Sequence, residues 1–113
     1  AAVRLSSGEI VIGNNQENAA FPSGLCAERV AVFSAGATFP NETTTDLAIT
    51  VRAESHEVTE AIAPCGACRQ ALAEYEQKQK SPIAIYFMGE TGDIIKVASV
   101  MDLLPLGFDA KYL

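Results

Sequence analysis

The chain begins with two short segments in which apolar and polar residues alternate. Residues 1–5 are mostly apolar, Ser6–Gly8 has the composition of a turn, and residues 9–13 alternate around Ile10 and Ile12. Alternation with a period of two residues indicates strands with one buried face, and a glycine-containing turn between them is typical of a β-hairpin. We therefore expect the fold to begin with a hairpin.

Two later segments predict helices. Residues 25–35 have few polar positions, as expected for a helix in the middle of a domain, and Gly36 and Pro40 are expected to end it. Proline suits the first position of a helix, so the second helix is expected to start at Pro64 and to run to the polar residues 77–80.

The remaining alternating segments predict three more strands, at residues 46–53, 83–88 and 94–98, with a turn at residues 89–93. Residues 14–23 are polar and are expected to form a loop. A hairpin followed by strands that alternate with helices predicts an α/β sandwich around a mixed sheet of five strands. At 113 residues we expect one domain, residues 1–113.

Composition excludes several classes of partner. Hydrophobic residues make up 49% of the chain, yet no apolar run approaches the length of a membrane span. The formal net charge is −6 and no basic cluster is present, whereas proteins that bind nucleic acids need lysine and arginine patches. We therefore expect no membrane and no nucleic-acid partner, and a small uncharged substrate.

The three cysteines of the chain form two motifs, Cys26-x-Glu28 and Pro64-Cys65-x-x-Cys68. Three protein ligands leave the fourth tetrahedral position of a zinc ion free for water, as in catalytic rather than structural zinc sites. Together the two motifs resemble the signature of zinc-dependent nucleobase deaminases, with a cysteine in place of the frequent histidine. We expect Cys26, Cys65 and Cys68 to bind Zn²⁺ and Glu28 to shuttle protons.

Other interpretations of these cysteines explain less of the pattern. A Cys-x-x-Cys pair is also found in redox proteins and as half of a structural zinc site. A redox pair leaves Cys26 and Glu28 unexplained, and a closed structural site needs a fourth ligand. The only histidine, His56, lies in an acidic stretch that is expected to be a solvated loop. An odd number of cysteines disfavours a disulfide framework and is consistent with a reducing cytoplasm.

The positions of the cysteines also predict their charge. All three are expected at helix N-termini, where the partial positive charge lowers the pKa of a thiol and favours the thiolate. Three thiolates around Zn²⁺ leave an anionic core, which requires a compensating positive charge. Arg29 is the nearest candidate donor to the cysteine sulfurs, whereas Arg69 is expected on the surface.

A family resemblance extends over nearly the whole chain. The loop Asn14–Phe21, the motifs Cys26–Arg29 and Pro64–Gln70, and the tail Leu103–Phe108 occur in the order found in the small cytidine deaminases of pyrimidine salvage, which this chain resembles. The resemblance implies a three-layer α/β/α sandwich and one Zn²⁺ per chain. It also implies hydrolysis of cytidine and 2′-deoxycytidine to uridine and 2′-deoxyuridine with release of ammonia.

The same resemblance implies how the nucleoside is bound. Asn15 and Glu17 would hold the ribose, the backbone N–H of Ala27 would donate to the base carbonyl, and the carbonyl of Ala63 would accept from the exocyclic amine. An amide and a carboxylate are suitable partners for sugar hydroxyls. From the residues alone, Asn15 and Glu17 are also compatible with turn residues that cap the end of a strand.

Cytidine deaminases with three cysteine ligands are usually homotetramers whose sites borrow residues from neighbouring subunits. By resemblance, Ala19, Phe21 and Phe108 would be the residues that reach a neighbouring copy. The family pattern also has a helix and a Phe-x-Val-Gly segment ahead of Ala1, which we expect in the natural protein.

Two rival functions stay open at the level of sequence. Blasticidin S deaminases share both cysteine motifs, although the Asn15–Asn18 element favours cytidine. A non-catalytic zinc-stabilised interaction domain would also keep the cysteines, but it would have no need of a proton-shuttling Glu28.

Overall fold

The computed structural model describes residues 1–113. The strands are β1 (Ala2–Leu5), β2 (Ile10–Ile12), β3 (Thr44–Thr50), β4 (Ala84–Met88) and β5 (Ile95–Val97). The α-helices are α1 (Ala27–Thr38) and α2 (Gly66–Gln79), and short 3-10 turns lie at Phe21–Ser23, Val100–Leu103 and Ala110–Tyr112. Neither α-helix has the length and apolar character needed to cross a membrane.

The five strands form one sheet in the order β2-β1-β3-β4-β5. Strands β3 and β4 are parallel, with Leu47 opposite Ile85, and every other neighbouring pair is antiparallel. The parallel pair requires a crossover connection, which α2 supplies between β3 and β4. The predicted α/β fold with a hairpin at the start and a mixed five-stranded sheet is confirmed.

The two faces of the sheet differ. Strand residues on one face pack with both helices into a single apolar core, whose main members are Val3, Leu5, Ala31, Val32, Ala35, Leu47, Ile49, Leu72, Ala73, Ile83, Ile85 and Phe87. The other face carries Arg4, Ile10 and Ile12, which are exposed. In residues 1–113 both α-helices therefore share one core with the sheet, and the second helical layer that the resemblance implies is not among these residues.

The first helix differs from the prediction at both ends. It starts after Cys26 and runs through Gly36 to Thr38. At Gly36, an added Cβ would lie 3.0 Å from the hydroxyl oxygen of Tyr75, so this glycine permits a close approach of α2 instead of ending α1. The helix is also not buried all round, because Phe33 is 40% exposed.

Two other predicted boundaries were wrong. Pro64 lies two residues before the first residue of α2, Gly66, and is itself fully buried. Strand β3 ends at Thr50, so the connection before α2 begins earlier than residue 53. The N-cap residue of α2 is therefore Cys65, and Pro64 lies outside the helix.

One buried carboxylate holds the end of α2 against the rest of the domain. Glu76 is 7% exposed and accepts hydrogen bonds from the backbone N–H of Ile83 at 2.7 Å and of Val100 at 2.9 Å. The hydroxyl of Ser99 donates a third bond to the same carboxylate. Glu76 therefore joins α2 to the start of β4 and to the 3-10 turn that follows β5.

Replacing Glu76 by alanine should reduce the free energy of unfolding by about 3 kcal/mol, because buried N–H groups lose a charged acceptor. Urea unfolding of the purified protein measures this change. Glu74→Ala is the matched control, since that carboxylate is exposed and pairs only with Lys78; its effect should stay within about 0.5 kcal/mol. A loss below about 1 kcal/mol in Glu76→Ala would contradict the assigned role.

Candidate metal centre and active site

The three cysteines meet where the two helices begin. Cys26 is the N-cap residue of α1, Cys65 is the N-cap residue of α2, and Cys68 lies in the first turn of α2. The helices pack side by side, with the rings of Phe33 and Tyr75 6.2 Å apart. Because the N-terminal ends of α1 and α2 are adjacent, the three Sγ atoms lie within 4.8 Å of one another.

One distance between the sulfurs matches a tetrahedral zinc site. The Sγ atoms of Cys26 and Cys65 are 3.8 Å apart. With Zn–S bonds of about 2.3 Å, two sulfurs at tetrahedral corners are about 3.8 Å apart. All three cysteines are free thiols, and the candidate metal-binding group contains no fourth residue. The cluster is thus suited to bind one zinc ion through three ligands.

Two alternative roles find no support in this geometry. His56 is exposed, contacts Ser55 and is not among the grouped ligands. A simple redox pair of Cys65 and Cys68 would not account for Cys26, whose sulfur lies against that of Cys65. The predicted cofactor, Zn²⁺, therefore agrees with the donor set that the fold assembles.

The thiols do not all behave as expected from their places at helix N-termini. The backbone N–H of Cys68 hydrogen-bonds to the Cys65 sulfur and holds the pKa of that thiol below its usual range. Burial, helped by the negative charge of Glu28, raises the pKa of the Cys68 thiol. The prediction that all three thiols are disposed to ionise is wrong for Cys68, because desolvation there outweighs the helix N-terminus.

Arg29 lies beside the sulfurs. Hydrogen bonding to Cys26 and the proximity of Cys68 raise the pKa of its guanidinium, which therefore stays charged. Its Nη2 reaches the carbonyl of Gly24 at 3.5 Å, and its Nε is buried without a partner. A buried donor without a partner carries an energetic cost, which an anionic sulfur centre next to it would reduce.

Glu28 lies in the first turn of α1 and is 7% exposed. No hydrogen bond of the chain ends on its carboxylate, whereas the equally buried Glu76 accepts three. Its charge acts on the thiol of Cys68, so the carboxylate lies beside the metal cluster without being one of the grouped ligands. Its oxygens are not among the fully buried side-chain atoms that lack a partner, so they keep access to the space outside the core.

The loop predicted to hold a sugar lies beside α1. Gln16 pairs with Leu25 through two backbone hydrogen bonds of 2.8 and 2.9 Å, directly before Cys26. Asn15 and Glu17 flank this bridge, are exposed, and hydrogen-bond to each other through their side chains. They cap no backbone group, which removes the support for the alternative of strand-end caps.

The other predicted contact residues occupy two kinds of position. Ala27 is the first residue of α1, and the side chain of Cys26 does not cap the free N–H groups there. Ala63 is half-buried and precedes Pro64 in the metal-binding loop. Three further residues, Ala19, Phe21 and Phe108, lie exposed on the surface.

One residue of this region, Arg69, does not lie where the sequence predicts it. Arg69, expected on the surface, is half-buried and donates hydrogen bonds to the carbonyls of Pro64 and Leu103. Its place next to Cys68 was the only signal in the sequence. The contact with Leu103 spans 34 residues of chain and is not encoded in any local motif.

Comparisons with known proteins agree with this geometry. A family model described as the cytidine and deoxycytidylate deaminase zinc-binding region matches residues 1–83. A cytidine deaminase of Halalkalibacterium halodurans is 34% identical over 111 residues, which cover 98% of this chain and 76% of that protein. A cytidine deaminase of Sporosarcina psychrophila is likewise 34% identical, with 98% and 74% covered.

Solved structures show the same fold. The crystal structure of a cytidine deaminase from Burkholderia pseudomallei superposes with a TM-score of 0.78 at 32% identity, covering 95% of this chain and 78% of that one. A mutant cytidine deaminase from Mycobacterium tuberculosis gives a TM-score of 0.63 at 25% identity, covering 96% and 76%. With its three-cysteine metal site and this level of similarity, the chain belongs to the cytidine and deoxycytidylate deaminase family.

Proposed function

We propose that this chain catalyses the zinc-dependent hydrolytic deamination of cytidine and 2′-deoxycytidine to uridine and 2′-deoxyuridine, with release of ammonia, in pyrimidine salvage. The observation that carries this proposal is the Glu28 carboxylate, which is buried beside the three-cysteine cluster and free of hydrogen bonds from the chain. The proposal takes residues 1–113 as a single catalytic domain.

The proposed chemistry divides between the metal and Glu28. When bound by Cys26, Cys65 and Cys68, zinc supplies a Lewis acid that makes a water molecule reactive near neutral pH. Glu28 takes a proton from the water that attacks C4 of the pyrimidine and delivers it to the ring nitrogen N3. It then takes the remaining proton of that water from the new C4 hydroxyl and gives it to the amine; the C4–N bond breaks as the C4=O bond forms, and ammonia leaves.

The remaining residues would bind and orient the nucleoside. Asn15 and Glu17 are exposed, and their mutual hydrogen bond leaves Oδ1 of Asn15 and Oε2 of Glu17 available to the ribose hydroxyls. The uncapped N–H of Ala27 would donate to the base carbonyl. The carbonyl of Ala63 would accept from the exocyclic amine. Arg29 would compensate the negative charge of the thiolates.

Assembly and location are part of the same proposal. We infer a cytoplasmic homotetramer in which Ala19, Phe21 and Phe108 complete sites on neighbouring copies. The exposure of Phe21 at 87% and of Phe108 at 59% supports this, because large apolar side chains on a surface often mark protein interfaces. The negative net charge supports a small-molecule substrate and no nucleic-acid or membrane partner.

The alternative substrates would make different contacts with the loop of residues 14–21. A blasticidin S-like nucleoside would use the same metal centre, so activity on that compound alone would redirect the proposal. The Asn15–Glu17 pair favours a ribose next to α1. A non-catalytic zinc domain is disfavoured by Glu28, since its carboxylate accepts no hydrogen bond from the fold and such a domain has no need of a proton shuttle beside the sulfurs.

Replacing Glu28 by glutamine should lower kcat for cytidine by a factor of about 10²–10⁴ or more, because one residue is proposed to serve several proton transfers. Zinc content should stay near one ion per chain, since the carboxylate is not among the grouped ligands. Loss of absorbance at the cytosine maximum and metal analysis measure the two quantities. Glu9→Gln, at an exposed hairpin position, is the matched control and should keep wild-type values. Activity within about tenfold of wild type in Glu28→Gln would rule out the proposed role.

The site should also discriminate against phosphorylated substrates. Glu17 and an anionic thiolate centre would face a 5′-phosphate, and the loops of residues 14–21 and 63–68 contain no basic residue. Repulsion in a confined site is poorly screened, so kcat/KM for CMP should be lower than for cytidine by about tenfold or more at low salt.

Added salt should narrow this gap, because ions screen the repulsion between the phosphate and the site. Steady-state rates with cytidine, CMP and dCMP at two ionic strengths make the comparison. If CMP or dCMP were used as well as cytidine, the assignment would move from a nucleoside to a nucleotide deaminase.

A further inference from the structure

Arg69 makes an unusual pair of contacts for a residue next to a metal ligand. Its Nε–H donates to the carbonyl of Pro64 at 2.7 Å, and its Nη1–H donates to the carbonyl of Leu103 at 2.9 Å. The side chain is half-buried and takes part in none of the ion pairs of the chain. Its planar guanidinium therefore binds two backbone carbonyls and no carboxylate.

The Pro64 carbonyl belongs to the peptide bond that leads into Cys65. A hydrogen bond to this carbonyl fixes the plane of that peptide and hence the direction of the Cys65 side chain. The proline ring limits the backbone on the other side, so the peptide of Ala63 is restricted as well. The Arg69 contact thus constrains a metal ligand directly, and the rigid proline between them carries this constraint to the carbonyl of Ala63.

The Leu103 carbonyl gives Arg69 a fixed support. Leu103 ends the 3-10 turn Val100–Leu103, and the N–H of Val100 is held by the buried Glu76. Residues 51–65, which connect β3 to α2 and include Cys65, have no regular secondary structure. Through Arg69, this irregular segment is tied to the part of the domain that Glu76 organises.

We propose that Arg69 is a positioning residue, which holds the Ala63–Cys65 segment in the geometry for zinc binding and for contact with the substrate. Lysine has the same charge but a single ammonium group, which cannot replace a fork that spans two carbonyls. Glutamine lacks both the charge and the reach. We therefore expect Arg69→Gln to impair zinc binding and turnover most, and Arg69→Lys to impair them less. The consequence for turnover rests on the proposed function, whereas the consequence for zinc binding does not.

The first test measures how fast zinc leaves the folded, zinc-loaded protein in excess chelator. Loss of a residue that orients a metal ligand typically costs about 10–100-fold in metal affinity, so release from Arg69→Gln should be faster by a similar factor. Arg4→Gln and Arg4→Lys are matched controls, because Arg4 is 61% exposed and pairs with Asp46 on the other face of the sheet. Both should release zinc at the wild-type rate.

A second variant separates the metal-binding loop from the tail. Gln70 follows Arg69 and donates to the carbonyl of Phe108 at 2.9 Å, so Gln70→Ala loosens the tail but leaves the contact with Pro64 intact. Zinc release at the wild-type rate in Gln70→Ala supports the proposal. Equal acceleration in the Gln70 and Arg69 variants would overturn it, since the tail alone would then explain the effect. Because Arg69→Lys keeps the charge and most of the side chain, it serves where Arg69→Gln does not fold.

The second test uses turnover of cytidine. In Arg69→Gln, displacement of the Ala63 carbonyl and of Cys65 should lower kcat by about tenfold or more, while KM changes by less than about threefold. The substrate would still bind, but it would no longer be held in the reactive geometry. A purely structural arginine would lower the midpoint of urea unfolding and leave zinc release and kcat of the folded protein unchanged, which would overturn the proposal. Full activity and normal zinc release in Arg69→Lys would also overturn it, because charge alone would then suffice. Failure of the wild-type protein to convert cytidine would contradict the proposed function, and the zinc-release result would still decide the role of Arg69.

Discussion

Charge compensation at the meeting point of two helix N-termini is the constraint on which the rest of this structure depends. Three sulfurs within 4.8 Å of one another and a buried carboxylate, Glu28, cannot all be charged without a nearby cation. Zinc bound by the cysteines would supply that positive charge together with Arg29, and it would offset the burial and the nearby charge of Glu28 that raise the pKa of the Cys68 thiol. The helix starts bring the ligands together, and the electrostatics determine what can bind there.

The two buried glutamates illustrate how the fold separates stability from chemistry. Glu76 is satisfied by two backbone N–H groups and a hydroxyl, so its charge stabilises the junction of α2, β4 and the last 3-10 turn. Glu28 has the same exposure and accepts no such bond, which leaves its oxygens free for the proton transfers that we propose. Arg69 connects the two regions, because its support at Leu103 belongs to the turn that Glu76 anchors.

Local patterns in the sequence were sufficient for the parts of the protein that depend on short stretches of chain. The strands follow from alternation, and the three cysteines with Glu28 follow from two compact motifs whose helix starts bring the sulfurs together. The features that the sequence did not predict depend on contacts between segments that are distant along the chain. Gly36 lies inside its helix, where it leaves room for the close approach of Tyr75, and Arg69 is half-buried and hydrogen-bonds to Leu103, which lies 34 residues away in sequence. No local pattern records such contacts.

We expect a zinc ion bound by three sulfurs, with its fourth position open to a small oxygen or nitrogen ligand. X-ray absorption spectroscopy at the zinc edge of the purified, zinc-loaded protein tests this most directly. We expect three Zn–S distances of about 2.3 Å and one Zn–O or Zn–N distance of about 2.0 Å. Four sulfur ligands, or a shell made only of oxygen and nitrogen, would contradict a catalytic site built on Cys26, Cys65 and Cys68.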